Sequence, residues 1–179
     1  MSLTLPSLDY REVERTIVEF VKNVLDHSGC NGIVLGISGG IDSATVASLC
    51  VRAVGASRVL GLIMPSSITP SEDVRDAEEL ASGLGIKKYV IDISDAQNFI
   101  SRLYIDDNKL SQLAYGNIAP RLRMTLLYLY ANSRGLLVVG TSNKSELLVG
   151  YFTKYGDGGA DILPIGDLYK THVRELALW

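Results

Sequence analysis

The chain has 179 residues and a mass of 19.4 kDa, the size of one domain with its own core. Its 47% hydrophobic and 21% charged content excludes a disordered chain. Seventeen Lys and Arg against 20 Asp and Glu give a net charge of −3, which speaks against a nonspecific nucleic-acid binder.

In chain order, Asp9 predicts a helix N-cap, and a helix to about Asp26 places Val13, Ile17, Phe20, Val21 and Val24 on one face. Residues 32–37 (GIVLGI) are a short β-branched run ending in a glycine-rich turn, and residues 41–54 read as a helix closed by Gly55. Residues 58–63 form a second strand. Thr69-Pro70-Ser71-Glu72 then predicts a capping box ahead of a helix that ends at Gly83 and Gly85. Residues 87–93 (KKYVIDI) read as a third strand, with Ser94 and Gln97 as a second capping box. A polar stretch through Asp107 and Asn108 leads to an apolar helix over 118–134, stopped by Gly135, and to a fourth strand over 136–140. Apolar strands alternating with amphipathic helices predict an α/β domain, a doubly wound, mostly parallel sheet with helices on both faces.

No apolar run approaches the roughly 18 residues of a membrane span, and the first residues lack the pattern of a secretory leader. Cys30 and Cys50 make neither a CxxC pair nor a disulfide framework. Together these predict a cytoplasmic protein with no membrane partner. Asn143-Lys144-Ser145 matches a glycosylation sequon, which carries no weight without export.

Sheets of this kind bind ligands at the carboxyl ends of their strands, where the order of the chain reverses. The segments after the first and fourth strands are therefore the candidate site. The first is Gly36-Ile37-Ser38-Gly39-Gly40-Ile41-Asp42-Ser43. Adjacent glycines turn backbone N–H groups toward an anion, and the following helix adds its positive end. The segment lacks the lysine of a Walker A loop and does not follow GxGxxG. It does match GxSxG, with Ser38 as nucleophile and His172 as a base, but that elbow requires an earlier strand and loop for its oxyanion hole. A plain glycine turn joining strand to helix is the other reading. Ser38, Asp42 and Ser43 favour a phosphate: hydroxyls donate to its oxygens, and Asp42 caps amides or holds a metal.

The second segment, residues 140–170, reads GTSNKSELLVGYFTKYGDGGADILPIGDLYK. Glu146 lies just beyond the fourth strand, so Asp42 and Glu146 share a Mg²⁺ if the first and fourth strands are neighbours. Lys154 and Lys170 bring cations to the same rim, and Asp157 and Asp161 add carboxylates, although each of these charges also suits a solvated surface.

SGGIDS resembles the pyrophosphate-binding loop of the ATP pyrophosphatases, a Rossmann-like group that includes NAD synthetase, GMP synthetase, asparagine synthetase and tRNA-modifying enzymes. GTSNKSE followed by GYFTKYGDGGADILPI resembles the second signature of NAD synthetase, and GNIAPRLRM over 116–124 is similar to a third segment of that family. The resemblance implies ATP-dependent, ammonia-using amidation of deamido-NAD to NAD through an adenylate, with Mg²⁺ as cofactor and a homodimeric assembly. It implies that Gly36, Ile37, Ser38, Gly39, Gly40, Ile41, Asp42 and Ser43 hold ATP, with Thr141 on its adenosine part and Lys170 on its phosphates. Asp42 and Glu146 match the metal ligands, and Arg121, Lys154 and Asp161 match positions that bind deamido-NAD. Asp42, Glu146 and Lys170 are the expected catalytic set, while Arg123 and Asp157 lie in matched segments without an assigned role. Pro120 departs from the family pattern, as do Ile63 and Met64 where some relatives carry an arginine. The expected domain is residues 1–179, ending before a further hydroxyl residue and a His-Lys pair of the family. A different ATP pyrophosphatase and a non-catalytic nucleotide-binding module are the competing readings.

Overall fold

The computed structural model describes residues 6–179. Helix α1 (Tyr10–Ser28) is followed by strand β1 (Gly32–Gly36), helix α2 (Ile41–Val54) and strand β2 (Val59–Ile63). Helix α3 (Ser71–Gly83) leads to β3 (Lys87–Val90). Three helices follow, α4 (Ser94–Ser101), α5 (Gln112–Gly116) and α6 (Ile118–Arg134), before β4 (Leu136–Val139), α7 (Lys144–Val149) and α8 (Lys170–Leu178).

All strand pairs are parallel, in the order β3-β2-β1-β4. Ile33 lies beside Val59 on one side and beside Leu137 on the other. The chain winds outward from β1 through β2 to β3, then crosses back to place β4 on the far side of β1. The reversal thus falls between β1 and β4, the two strands whose following segments carry the sequence motifs. Alternate residues of each strand face opposite layers. Ile33, Leu35, Leu137 and Val139 pack with α1, α2 and α8, whereas Val34, Leu60, Leu62 and Val138 pack with α6. Both faces are therefore covered, as the unbroken apolar strands predict.

Several local expectations hold and several do not. The Asp9 carboxylate accepts from the N–H groups of Arg11 and Glu12, as an N-cap should. On α1, Leu25 is buried with Ile17 and Val21, but Phe20 remains 42% exposed at the edge of the stripe. The Thr69 capping box does not form, because the Thr69 hydroxyl pairs with Ser66 and Pro70 occupies the N-cap of α3. Nor does the Ser94–Gln97 box form. Gln97 is buried and its amide donates to the carbonyl of Tyr115, while Asp92 accepts from the N–H of Ser94. Strand β3 stops at Val90 rather than 93, although Ile91 and Ile93 still donate to Ile63 and Pro65. It is the partly exposed edge strand, and its lysines suit an edge that must not pair further. Among the described residues, no helix is long and apolar enough to cross a membrane.

Candidate active site at the reversal of strand order

The loop from Ile37 to Gly40 joins β1 to α2 and is knotted by two serines. The Ser43 hydroxyl, nearly inaccessible to solvent, donates to the carbonyl of Gly40 (2.9 Å), accepts from the N–H of Ser38 (3.2 Å) and pairs with the Ser38 hydroxyl (3.1 Å). Gly39 adopts φ +83°, and a Cβ there would sit 2.5 Å from the backbone oxygen of Asp73, so conformation and space both demand glycine. Gly40 caps α2 without a side chain. The first-turn N–H groups and the positive end of a 14-residue helix thus face the carboxyl edge of the sheet, an anion cradle of the kind the sequence predicts.

The segment after β4 comes up beside it. Gly140 crosses so close to Leu163 and Ala160 that a Cβ would lie 2.5 and 2.8 Å from their side chains. Asn143 caps α7 in a reciprocal box with Glu146: its side-chain oxygen accepts from the N–H of Glu146, and its own N–H donates to Glu146 Oε2, both at 3.1 Å. The Asn143 side-chain amide donates to Asp42 Oδ1 at 3.2 Å. Lys170, the first residue of α8, donates from Nζ to Asp42 Oδ2 in a partly buried ion pair. Its backbone N–H donates to the Ser145 hydroxyl (3.0 Å), which ties α8 to α7. Asp42, Glu146 and Lys170, far apart in sequence, are therefore gathered at one point. Asp42 and Glu146 share a cleft of about 210 Å³ with Ser38, Ser43, Thr141 and Asp157.

A larger cleft of about 620 Å³ adjoins it, extending under the loop after β2 toward α5 and α6. Ser38, Thr141 and Asp157 line both spaces. Its walls are mostly apolar, with Ile37, Met64, Ile68 and Leu127 among them, as a nucleoside-sized site requires. Arg123 lines this cleft as well. Its Nε donates to the carbonyl of Met64 (3.0 Å), and burial pulls its pKa below the usual arginine value, opposed by the charge of Asp157.

The three expected dinucleotide contacts lie elsewhere, since none of Arg121, Lys154 and Asp161 lines either cleft. Arg121 and Lys154 are exposed and adjacent, with Arg121 Nε donating to the Lys154 carbonyl (3.3 Å). Both carboxylate oxygens of Asp161 are engaged, Oδ2 by the N–H of Val138 (2.8 Å) and Oδ1 by the Tyr128 hydroxyl (2.9 Å). Burial, then that hydrogen bond, pushes the Tyr128 phenol up to about 12. His172 is buried on α8, with Nε2 unpartnered among the described residues.

Sequence reasoning missed Asn143, whose sequon match drew attention away from it, and the loop of Ser66 and Thr69 with Gln97 and Tyr115 on the large cleft. In the sequence, Thr69 and Gln97 were legible only as helix-cap residues.

Among the described residues, no three His, Cys, Asp or Glu side chains cluster tightly enough to hold an ion by themselves. Asp42 and Glu146, with Asp157 on the same small cleft beside the glycine-rich loop, are nonetheless carboxylate donors of the kind Mg²⁺ uses when it arrives with a polyphosphate. The ammonium of Lys170 on Asp42 shows that this carboxylate already accommodates a cation. The residues present fit the ion.

Fold and site together define a parallel α/β nucleotide-binding domain whose anion cradle lies at the switch between β1 and β4. Residues 13–179 match the family model described as NAD synthase, and the chain belongs to that family. It is 52% identical over 174 residues to the NH(3)-dependent NAD(+) synthetase of Archaeoglobus fulgidus, covering 96% of this chain and 69% of that protein. Across the first three such relatives it spans between 63% and 69% of their length, about two thirds. The structure superposes on the NH3-dependent NAD synthetase of Campylobacter jejuni with a TM-score of 0.90 at 39% identity, covering 96% of this chain and 73% of that one. It superposes on the NMN synthetase of Francisella tularensis with a TM-score of 0.89 at 38% identity, covering 96% and 71%.

Proposed function

We propose that this chain catalyses the ATP-dependent amidation of deamido-NAD to NAD with ammonia, releasing AMP and pyrophosphate. The observation that carries the reading is the convergence of Asp42, Glu146 and Lys170 on the cradle of Ser38–Ser43. A carboxylate resists attack by ammonia because it would have to expel oxide. Transfer of AMP to a carboxylate oxygen, with loss of pyrophosphate, replaces that oxide by a good leaving group. Ammonia then attacks the carbonyl carbon, AMP departs and a proton is lost. Such phosphoryl chemistry needs positioning and fixed positive charge rather than a covalent nucleophile.

In this reading residues 36–43 hold ATP through the first-turn N–H groups of α2 and the exposed Ser38 hydroxyl, with Ser43 bracing the loop from inside, and Thr141 meets its adenosine part. Lys170 transfers its ammonium from Asp42 to the phosphates, where charge builds as pyrophosphate leaves. Asp42 and Glu146 hold Mg²⁺, which neutralises phosphate charge when bound. Arg121, Lys154 and Asp161 contact deamido-NAD, the first two from the exposed rim and Asp161 from the edge of β4. A homodimer working in the cytoplasm completes the proposal. Neither cysteine nor His172 is required.

The test is product analysis with ATP, Mg²⁺, ammonia and deamido-NAD, run in parallel with nicotinate mononucleotide. NAD with AMP and pyrophosphate is the expected result. ADP as product would overturn the mechanism, amidation of the mononucleotide alone would change the substrate, and binding without turnover would make the chain a nucleotide-binding module.

A further inference from the structure

We infer that Asn143 is the positioning residue that ties Asp42 and Glu146, two of the acidic side chains on the small cleft, together as ligands of a shared Mg²⁺. The inference rests on the reading of those acids as metal ligands. Asn143 is completely buried. A buried amide is costly unless its polar groups are bonded, so what it bonds to is informative. Its side-chain N–H₂ donates to Asp42 Oδ1, its side-chain oxygen accepts from the backbone N–H of Glu146, and its own backbone N–H donates to Glu146 Oε2. Three polar groups of one residue are thus spent on two acidic residues.

Those acids belong to different parts of the fold. Asp42 stands in the first turn of α2, beyond β1, and Glu146 in the first turn of α7, beyond β4. Asn143 lies 101 residues from Asp42 and bridges the two turns across the switch point. The division of labour on Asp42 is equally specific. Oδ2 belongs to Lys170, whose flexible ammonium can leave, whereas Oδ1 belongs to a buried amide that cannot. When Lys170 moves to the phosphates, Asn143 keeps the carboxylate aimed. Mg²⁺ tolerates little departure from octahedral geometry at about 2.0–2.1 Å, so a carboxylate free to rotate is a poor ligand for it.

The capping and positioning roles are separable by substitution. Asn143→Ser retains an N-cap oxygen for the N–H of Glu146 but removes the amide that holds Asp42; Asn143→Ala removes both. On the full chain, Mn²⁺ affinity is read by electron paramagnetic resonance with a nucleotide analogue that cannot be cleaved between its α and β phosphates. Affinity for the analogue alone, in EDTA, and melting temperature are measured beside it. Loss of a hydrogen bond to a metal ligand typically weakens metal binding about 10–100-fold. In Asn143→Ser we expect Mn²⁺ to bind at least about tenfold more weakly, with metal-free analogue binding and melting temperature retained. Wild-type Mn²⁺ affinity in Asn143→Ser, with loss confined to Asn143→Ala, would reduce Asn143 to a helix cap and overturn the inference. So would parallel loss of analogue binding and melting temperature, the mark of a purely structural role. Failure of the wild-type protein itself to bind Mn²⁺ with the analogue would instead remove the metal reading on which the inference stands.

Discussion

Lys170 makes two commitments: its backbone fixes the start of α8 on Ser145, and its side chain neutralises Asp42. Only the second involves the ammonium, so Lys170→Ala should leave the fold intact while removing the cation that the proposed reaction sets on the departing pyrophosphate. A loss of kcat of about 10²-fold, on the order of 3 kcal/mol, is expected from steady-state kinetics with saturating MgATP; near-normal turnover would remove Lys170 from the chemistry. Lys170 was legible in the sequence only through the family resemblance, since by itself a lysine on this rim suits a solvated surface equally well. Asn143 was not, since an asparagine bonding two acids is recognisable only once β4 is known to lie beside β1. Arg123 was legible only as a residue of a matched segment without an assigned role. Its contact with Met64, from the loop after β2, explains why it lies inside the large cleft while Arg121, two residues away, faces solvent.

Apart from the partly exposed β3, which ends at Val90 rather than 93, strands and long helices follow their patterns closely because burial on both faces of the sheet leaves little freedom in where they begin and end. Helix starts were less faithful. Asp9 caps α1 through two N–H groups, and Asp9→Ala should lower stability by about 1 kcal/mol, read as a shift in urea midpoint with unchanged slope. Thr69 and Ser94 carry equally good local signals, yet both boxes are absent. In each, tertiary demand outweighs the local contribution: Thr69 closes the loop over the large cleft, and Gln97 is drawn inward to the carbonyl of Tyr115. The same contact explains why α5 was hidden in the sequence. A five-residue helix lacks enough periodicity to register, and it is held by neighbours such as Gln97 and α6. The exposure of Phe20 follows from geometry, since Leu25 continues the row of Ile17 and Val21 whereas Phe20 lies beside it.

For the molecule as a whole, the order β3-β2-β1-β4 puts the chain reversal, the cradle and both acids at one edge, and the motif-bearing loops could be assigned to that edge in advance. The two thiols report on how firmly the domain is closed. Burial pushes the Cys50 thiol, on α2, up to about 12, while Cys30 is only partly covered. Native protein at pH 8 should therefore release one equivalent of thionitrobenzoate quickly and the second only as fast as the fold opens; rapid labelling of both would show that α2 detaches readily. Because folding raises this pKa, the neutral thiol contributes its stability in full below about pH 9, and that contribution is lost as pH rises from there toward 12.

The attachment of α2 matters for the nucleotide as well. Ser43, Thr45, Val46, Ala47, Leu49 and Cys50 are all buried, so the helix is anchored in the core from its first turn. The cradle is the leading end of that same rigid body, closed by Ser43 and pressed at Gly39 against α3. Its conformational entropy is surrendered when the domain folds, so that in the proposed reaction an arriving triphosphate would meet donors already in place, keeping the free energy of its contacts for affinity and for the transition state.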